Sequence, residues 1–328
     1  MATLNWPDRL VFNLTNVWLL LRHPRVSERF WRYIHRPPFF ATPRGHGEMV
    51  HWRKFVDHNP LFIELTDKLR AKQWAVRTVP ALRVAKVVWQ GTRPEDVPDA
   101  FLVPGYVIKT NHASGYNYFP HREKWDRARF NAYFAERLAR PYWQQAQWAY
   151  LFVTPQIYVE ELVGNGEGLW EMTFRSHNGV VSAYYVATNQ KTPLEQGALF
   201  SGDDRRMPPV IGWQASEHFP DDFVLPAFVE TAKQAAARLS IGIDYARMDL
   251  MSDGTDIFFC EATIYPQSGF GVEERAHIAG LVERAWLEAI DVSWFLTTPQ
   301  SWPMSLYANA FRRWVARRRQ ELAEAGPA

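Results

Sequence analysis

The sequence predicts an α+β protein, and three features predict it. Residues 246–264, "ARMDLMSDGTDIFFCEATI", alternate polar and apolar side chains along two arms around an Asp-Gly turn, as a half-buried β-hairpin does. Stretches over 59–79, 124–146 and 221–242 have helical character instead, the first with apolar residues at helical spacing. Helices and strands do not alternate strictly, which argues for α+β lobes over a doubly wound parallel sheet. At 328 residues the chain suits two or three closely packed lobes.

In chain order, residues 1–58 read as an N-terminal helical extension: "VWLLLRHPRVSERFWRYIHRPPFF" is helix, break, helix, then a Pro-Pro stop. Its apolar stretch Leu10–Leu21 is interrupted by Asn13, Thr15 and Asn16, and no small-residue cleavage site follows, so no signal peptide is expected. About a dozen residues also fall short of the ~20 that span a bilayer. Residues 59–108 form an α/β segment, with a helix carrying Ile63, Leu69 and Trp74 and a β-branched strand "LRVAKVVWQG". Residues 109–160 form a further lobe: a strand running into the polar turn "TNHASGYN", a helix over 124–146, and the strand "QIYVEELV". Residues 161–290 begin at the turn "GNGEG" and continue with two strands around an Asn178-Gly179 hairpin signal. A polar loop over 190–221, a capped helix ending near Gly242 and the opening hairpin follow. Residues 291–328 end in a basic helix.

Composition narrows the classes. With 47% hydrophobic and 22% charged residues and a formal charge of +2, the chain is globular and is no general nucleic-acid binder. A single Cys260 excludes an intramolecular disulfide framework and a Cys-rich zinc site, and suits a cytoplasmic protein. Fifteen Trp imply large flat contact surfaces or a wide apolar groove. In "FRRWVARRRQEL", Phe311, Trp314 and Val315 follow helical spacing among five arginines. Such a helix either lies on the anionic inner face of a membrane or packs on the core with a solvated basic side.

The hairpin holds the strongest chemical signal. Arg247, Asp249, Glu261 and Thr263 all fall on odd positions, so they share the polar side of their arms. A three-residue loop Asp253-Gly254-Thr255 would pair Ser252 with Asp256, face Arg247 with Glu261 and set Asp249 opposite Phe259. Asp249 and Glu261 would then be diagonal neighbours roughly 7–8 Å apart, a gap one cation can bridge. A solvated face with a cross-strand ion pair is the plainer alternative. In "VIKTNHASGYN", Lys109 ends an apolar strand just before a turn of small residues, a pairing that suits a phosphate but also describes an ordinary surface turn. It is not a Walker loop.

The order of these stretches carries a resemblance. Asp67-Lys68 with Lys72, then "VIKTNHASG", then "VEELV", then "ARMDL…FCEATIYPQSG", is similar to the TupA-like branch of the ATP-grasp superfamily, over about residues 60–275. The resemblance implies an ATP-grasp fold, two α+β lobes holding ATP between antiparallel sheets. It implies that Lys109 contacts the α/β-phosphates, with Lys72 a weaker second contact. His112, Ser114 and Gly115 would form a flap over the phosphates. Glu160, Glu161 and the Leu162 backbone would form the hinge for adenine and ribose, with Glu167 a further ribose ligand. Asp249, Glu261 and Thr263 would hold Mg2+, and Arg247 would touch the transferring γ-phosphoryl group. Where the family has a Lys in its D-Y-K-F strand, this chain reads "EMTF", with Thr173 there and Arg175 as the candidate replacement. The implied activity is ATP-dependent joining of a small-molecule or glycan carboxylate to an amine, in cell-surface polysaccharide or related conjugate assembly. A degenerate nucleotide-binding accessory protein and an ATP-grasp kinase are the alternatives.

Overall fold

The computed structural model describes residues 5–140, 142, 144–166, 168–189, 194–208, 217–271 and 276–325. The mixed α+β class holds: the described strands form two largely antiparallel sheets with helices packed on them. Strands β1 (Arg83–Val84), β2 (Val87–Gly91), β3 (Tyr106–Thr110), β4 (Asn117–Tyr118) and β5 (Ile157–Glu161) come first. Then follow β6 (Trp170–His177), β7 (Val180–Thr188), β8 (Gln196–Ser201), β9 (Glu217–His218), β10 (Ala246–Ser252) and β11 (Ile257–Thr263). The small sheet has the order β2-β5-β3-β4, and the large one β1-β11-β10-β6-β7-β8-β9, parallel only at its two edge pairs.

Helices α1 (Trp6–Arg22), α2 (Pro24–Ile34) and α3 (His46–Phe55) precede the sheets, and α4 (Leu61–Thr66) and α5 (Lys68–Thr78) lead into them. The rest are α6 (Arg127–Leu138), α7 (Ala227–Leu239), α8 (Ala276–Ala289), α9 (Trp294–Thr297) and α10 (Met304–Glu324). The single helix expected over 59–79 is split at Asp67. Its extended backbone ends α4, and its carboxylate caps α5 by accepting from the N–H groups of Leu69 and Arg70. The strand expected over 82–91 is likewise divided: β1 joins the large sheet and β2 the small one. Strand β8 lies inside what reads as a polar loop.

Alternation sorts each sheet into a core face and a polar face. In the large sheet Met172, Phe174, Tyr184, Met248 and Leu250 enter the main core, which the terminal helices cover. In the small sheet Ile108, Ile157 and Val159 pack on Phe130 and Phe134 of α6. Helix α3 is buried on nearly every side although its sequence is polar. Arg53 donates from its two terminal nitrogens to the carbonyls of Tyr245 (2.8 Å) and Ile264 (3.2 Å) and to Asp244 (2.5 Å), and so ties α3 to the ends of β10 and β11.

The C-terminal helix takes the plainer of its two alternatives. Phe311, Trp314 and Val315 are buried, and Arg313, Arg318 and Arg319 pair within the chain with Asp8, Glu283 and Asp291. Its apolar side is therefore consumed by the core and is not free to enter lipid.

Candidate active site

The polar faces of the two sheets enclose a cavity of about 1190 Å³. Its floor is the odd face of the hairpin, but the register differs from the expected one. The loop is four residues long, so Ser252 pairs with Ile257 and Leu250 with Phe259. A bulge at Cys260 then shifts β11 by one residue, which sets Asp249 directly opposite Glu261 and Arg247 opposite Thr263. The bulge also explains why Phe259 is buried while Phe258 and Cys260 are not. The two carboxylates are thus direct cross-strand neighbours, closer than the diagonal arrangement expected.

Arg247 forks onto Asp249 at 3.0 and 2.6 Å and reaches Glu261 at 3.6 Å. Burial, reinforced by Glu261, raises the Asp249 carboxyl above its ordinary range although Arg247 opposes it. Glu261 goes the other way: Lys68 first, then Arg247, outweigh its burial and hold its carboxyl at about 2. Across β10, Thr173 stands opposite Asp249 and Arg175 opposite Arg247. The position expected to carry a Lys therefore offers Asp249 a hydroxyl, and a buried Arg175 lines the cavity two residues on.

The roof is the small sheet. Lys109, Tyr158 and Glu160 share its inner face. Glu160 is buried between Lys109, which donates to Oε1, and Lys72, whose Nζ lies 2.9 Å from Oε2. Burial disfavours its charge, but Lys109 and Lys72 together hold its carboxyl at about 2. Burial also works against the Lys109 ammonium, and Glu160 more than compensates, raising it above its ordinary value. Glu160 is therefore placed as the counter-ion of two lysines. Glu161 lines the cavity and pairs with Lys86 at 3.2 Å. The Leu162 N–H is taken by the Gly105 carbonyl at 2.8 Å, so a base at this hinge would meet the Leu162 carbonyl. Glu167 lies outside the described residues.

At the turn after β3, Ser114 and Gly115 line the cavity, and Gly115 adopts a positive φ of 77°. His112 does not join them. Its ring is buried with Nε2 3.3 Å from the Arg137 carbonyl, and burial lowers its pKa, so it supports the turn from the side of α6.

Lys68 stands in the first of the ordered motifs, but sequence reasoning gave it no part in the site. Its ammonium donates to the Ala113 carbonyl at 2.8 Å and pairs with Glu261 at 3.0 Å, joining turn to floor. The available signal was the Asp67 cap, which starts a helix with Lys68 and Lys72 one turn apart on one face.

Beside Arg247 and Glu261 a recess of about 210 Å³ opens, lined also by Thr263 and by Tyr142, Tyr150 and Tyr265. Thr263 belongs to this recess, where its hydroxyl donates to Glu261 at 3.3 Å. Part of its wall is strained: Gln267 and Ser268 follow one another at positive φ, as do Gln145 and Ala146 just before the wall residue Gln147. The buried Lys54 of α3 donates to the carbonyls of both segments, at Gln145 (3.0 Å) and Ser268 (2.6 Å).

Among the described residues no cluster of three or more His, Cys, Asp or Glu side chains is gathered that holds a metal by itself. The adjacent Asp249 and Glu261, with hard oxygen donors and mutual repulsion that a cation relieves, fit a Mg2+ ion completed by phosphate oxygens and water.

No protein-family model matches the chain. No curated protein matches it either. Among solved structures it is similar to the ATP-grasp ligase PsnB complexed with a minimal precursor, at 13% identity and a TM-score of 0.37, over 71% of this chain and 63% of that one. It is also similar to D-alanine-D-alanine ligase from Helicobacter pylori, at 11% identity and 0.37, over 72% and 65%. The same ligase from Bacillus anthracis complexed with ATP matches at 13% and 0.37, over 79% and 67%. The chain thus spans less than two thirds of the length of the first two.

Proposed function

We propose that the chain is an ATP-dependent carboxylate–amine ligase that binds Mg-ATP between its two sheets. One observation carries this reading: Lys109 in the roof faces a floor where Arg247 and the paired carboxylates Asp249 and Glu261 meet. Phosphoryl transfer asks a protein mainly for positioning and charge neutralisation, and these are the groups that supply it. Mg-ATP supplies the phosphoryl group that makes a carboxylate electrophilic.

In this reading Lys109 holds the α/β-phosphates. Its ammonium has three N–H groups and Glu160 accepts one, so it serves carboxylate and phosphate together. Asp249 and Glu261 hold the metal, and Ser114 and Gly115 cover the phosphates. Arg247, at the border of cavity and recess, neutralises charge developing on the γ-phosphoryl group as a carboxylate oxygen attacks phosphorus and ADP leaves. An amine then attacks the acyl carbon, phosphate departs, and the amide forms with release of a proton. The recess would take the acid. We place its substrate with the TupA-like branch, a uronic-acid or amino-acid carboxylate in surface-polymer assembly, on the strength of the ordered motifs.

The test offers Mg-ATP, hydroxylamine and a panel of such acids. A ligase yields a hydroxamate and ADP in equal amounts, a kinase acting on a hydroxyl releases ADP alone, and a degenerate protein gives neither. Arg247→Ala should abolish hydroxamate with less effect on ATP binding, whereas Lys109→Ala should weaken binding itself.

A further inference from the structure

A surface helix normally turns its apolar side inward. Helix α1 packs Phe12 and Leu19 on the body, yet its outer side is apolar as well. At about 100° per residue, Trp6, Leu10, Leu14, Val17, Trp18 and Leu21 fall on one side of the helix, and all six are exposed. Trp6, Leu14 and Leu21 expose 75%, 62% and 77% of their surface. An unbroken apolar stripe of this length marks an interaction surface. It does not mark a span, since among the described residues no helix is long and apolar enough to cross a membrane.

Charge selects the occupant. Between residues 5 and 36 stand six arginines, Arg9, Arg22, Arg25, Arg29, Arg32 and Arg36, with no lysine. The segment itself holds only Asp8 and Glu28 against them, a formal +4 where the whole chain carries +2, and outside it the buried Glu48 pairs with Arg36. All six arginines are exposed, whereas Asp8 is buried against Arg313. Two copies pairing through this face would bring like charges together, with Arg9 and Arg22 on α1 itself and Arg25 and Arg29 on α2. An anionic surface gains from the same fringe. Trp6 and Trp18 within the stripe, and Trp31 and Tyr33 exposed on α2, are the side chains that settle at the headgroup level of a bilayer.

We propose that α1 is a membrane-docking helix, fixed on the protein body by its inner side and lying flat in an anionic lipid surface by its outer one. The proposal is independent of what the cavity binds.

The test is co-sedimentation of the full chain with vesicles of phosphatidylcholine alone, or of phosphatidylcholine and phosphatidylglycerol in equal parts. Leu14→Glu/Leu21→Glu and Leu14→Phe/Leu21→Phe change the stripe at positions that touch little of the body, and circular dichroism checks the fold. Wild type should pellet with the anionic vesicles, at least about tenfold better than with neutral ones, and less as salt rises. The phenylalanine variant should pellet like wild type and the glutamate variant should stay in solution. Equal recovery of the glutamate variant, absence of pelleting by wild type, or equal binding to neutral vesicles would each overturn the proposal. So would a lipid-free dimer in sedimentation velocity that the glutamate variant dissolves, because the stripe would then belong to a second copy.

Discussion

Glu160→Gln removes one charge and keeps the shape of the side chain that joins Lys109 to Lys72. In the folded protein that carboxyl is held at about 2, against an ordinary 4.5. A tenfold change in proton affinity is worth about 1.4 kcal/mol, so the ionised carboxylate contributes about 3 kcal/mol to stability. The side chain is only 5% exposed, and solvent screens little of this. The sign follows from the depressed value. The contribution is complete above the unfolded value near 4.5 and is lost as pH falls through about 2. For a chain of 328 residues the unfolding entropy is about 0.7 kcal/mol/K, so the variant should melt about 5 °C below wild type at pH 7.

Scanning fluorimetry from neutral to acid pH reads the effect. The gap should narrow below about pH 5 and nearly close by about pH 2, because a protonated carboxyl and an amide present the two lysines with the same neutral group. Mg-ATP should raise the melting temperature of the variant more than that of wild type, since phosphate oxygens can replace the missing counter-ion. A gap that stays constant with pH would refute the ion-pair origin and reduce Glu160 to packing. No gap at neutral pH would refute the electrostatic account of the roof altogether.

Lys68→Met should weaken Mg-ATP binding about tenfold to a hundredfold in calorimetry, because one ammonium holds both the Ala113 carbonyl and Glu261. Asp249→Asn should weaken Mg-ATP more than magnesium-free ATP, and an equal loss for both would return the pair to a plain salt link. Lys54→Met should lower kcat more than it raises the KM for ATP. Its hydrogen bonds pin the strained wall of the recess and touch neither Lys109 nor the hinge.

How much of this was legible depends on where each side chain finds its partner. Parity along the hairpin placed Arg247, Asp249, Glu261 and Thr263 on one side of their arms, and the structure keeps them there. The direct opposition of Asp249 and Glu261 was not legible, because the bulge at Cys260 needs no glycine and leaves no mark in the sequence. The Asn178-Gly179 hairpin was legible: both residues take positive φ, as the dipeptide predicts. Helix α3 was not. Two of its charged residues are held by groups far along the chain, Arg53 by Asp244 and Lys54 by the Ser268 carbonyl, so no local period announces a buried helix. The motif order pointed to Lys109 and Glu160 separately. That one carboxylate would serve two lysines required the ion pair by which Lys72 of α5, a helix packed on the large sheet, reaches across to Glu160 of the small one.

The buried and strained groups share a direction. Arg53 binds the ends of β10 and β11, Lys54 binds the wall of the recess, and both belong to α3. Two helices before α3, α1 spends its inner side on the body and leaves its outer side apolar. Residues 5–58 therefore touch two surfaces: the wall of the recess, through α3, and the stripe proposed to meet lipid, through α1. If this segment is rigid, docking leaves the cavity unchanged and only brings it near a surface-bound acid. If it is not, anionic vesicles should alter the rate of hydroxamate formation even with a soluble acid, and Leu14→Glu/Leu21→Glu should remove that response while leaving the rate without vesicles intact. The comparison separates delivery of the substrate from activation of the site.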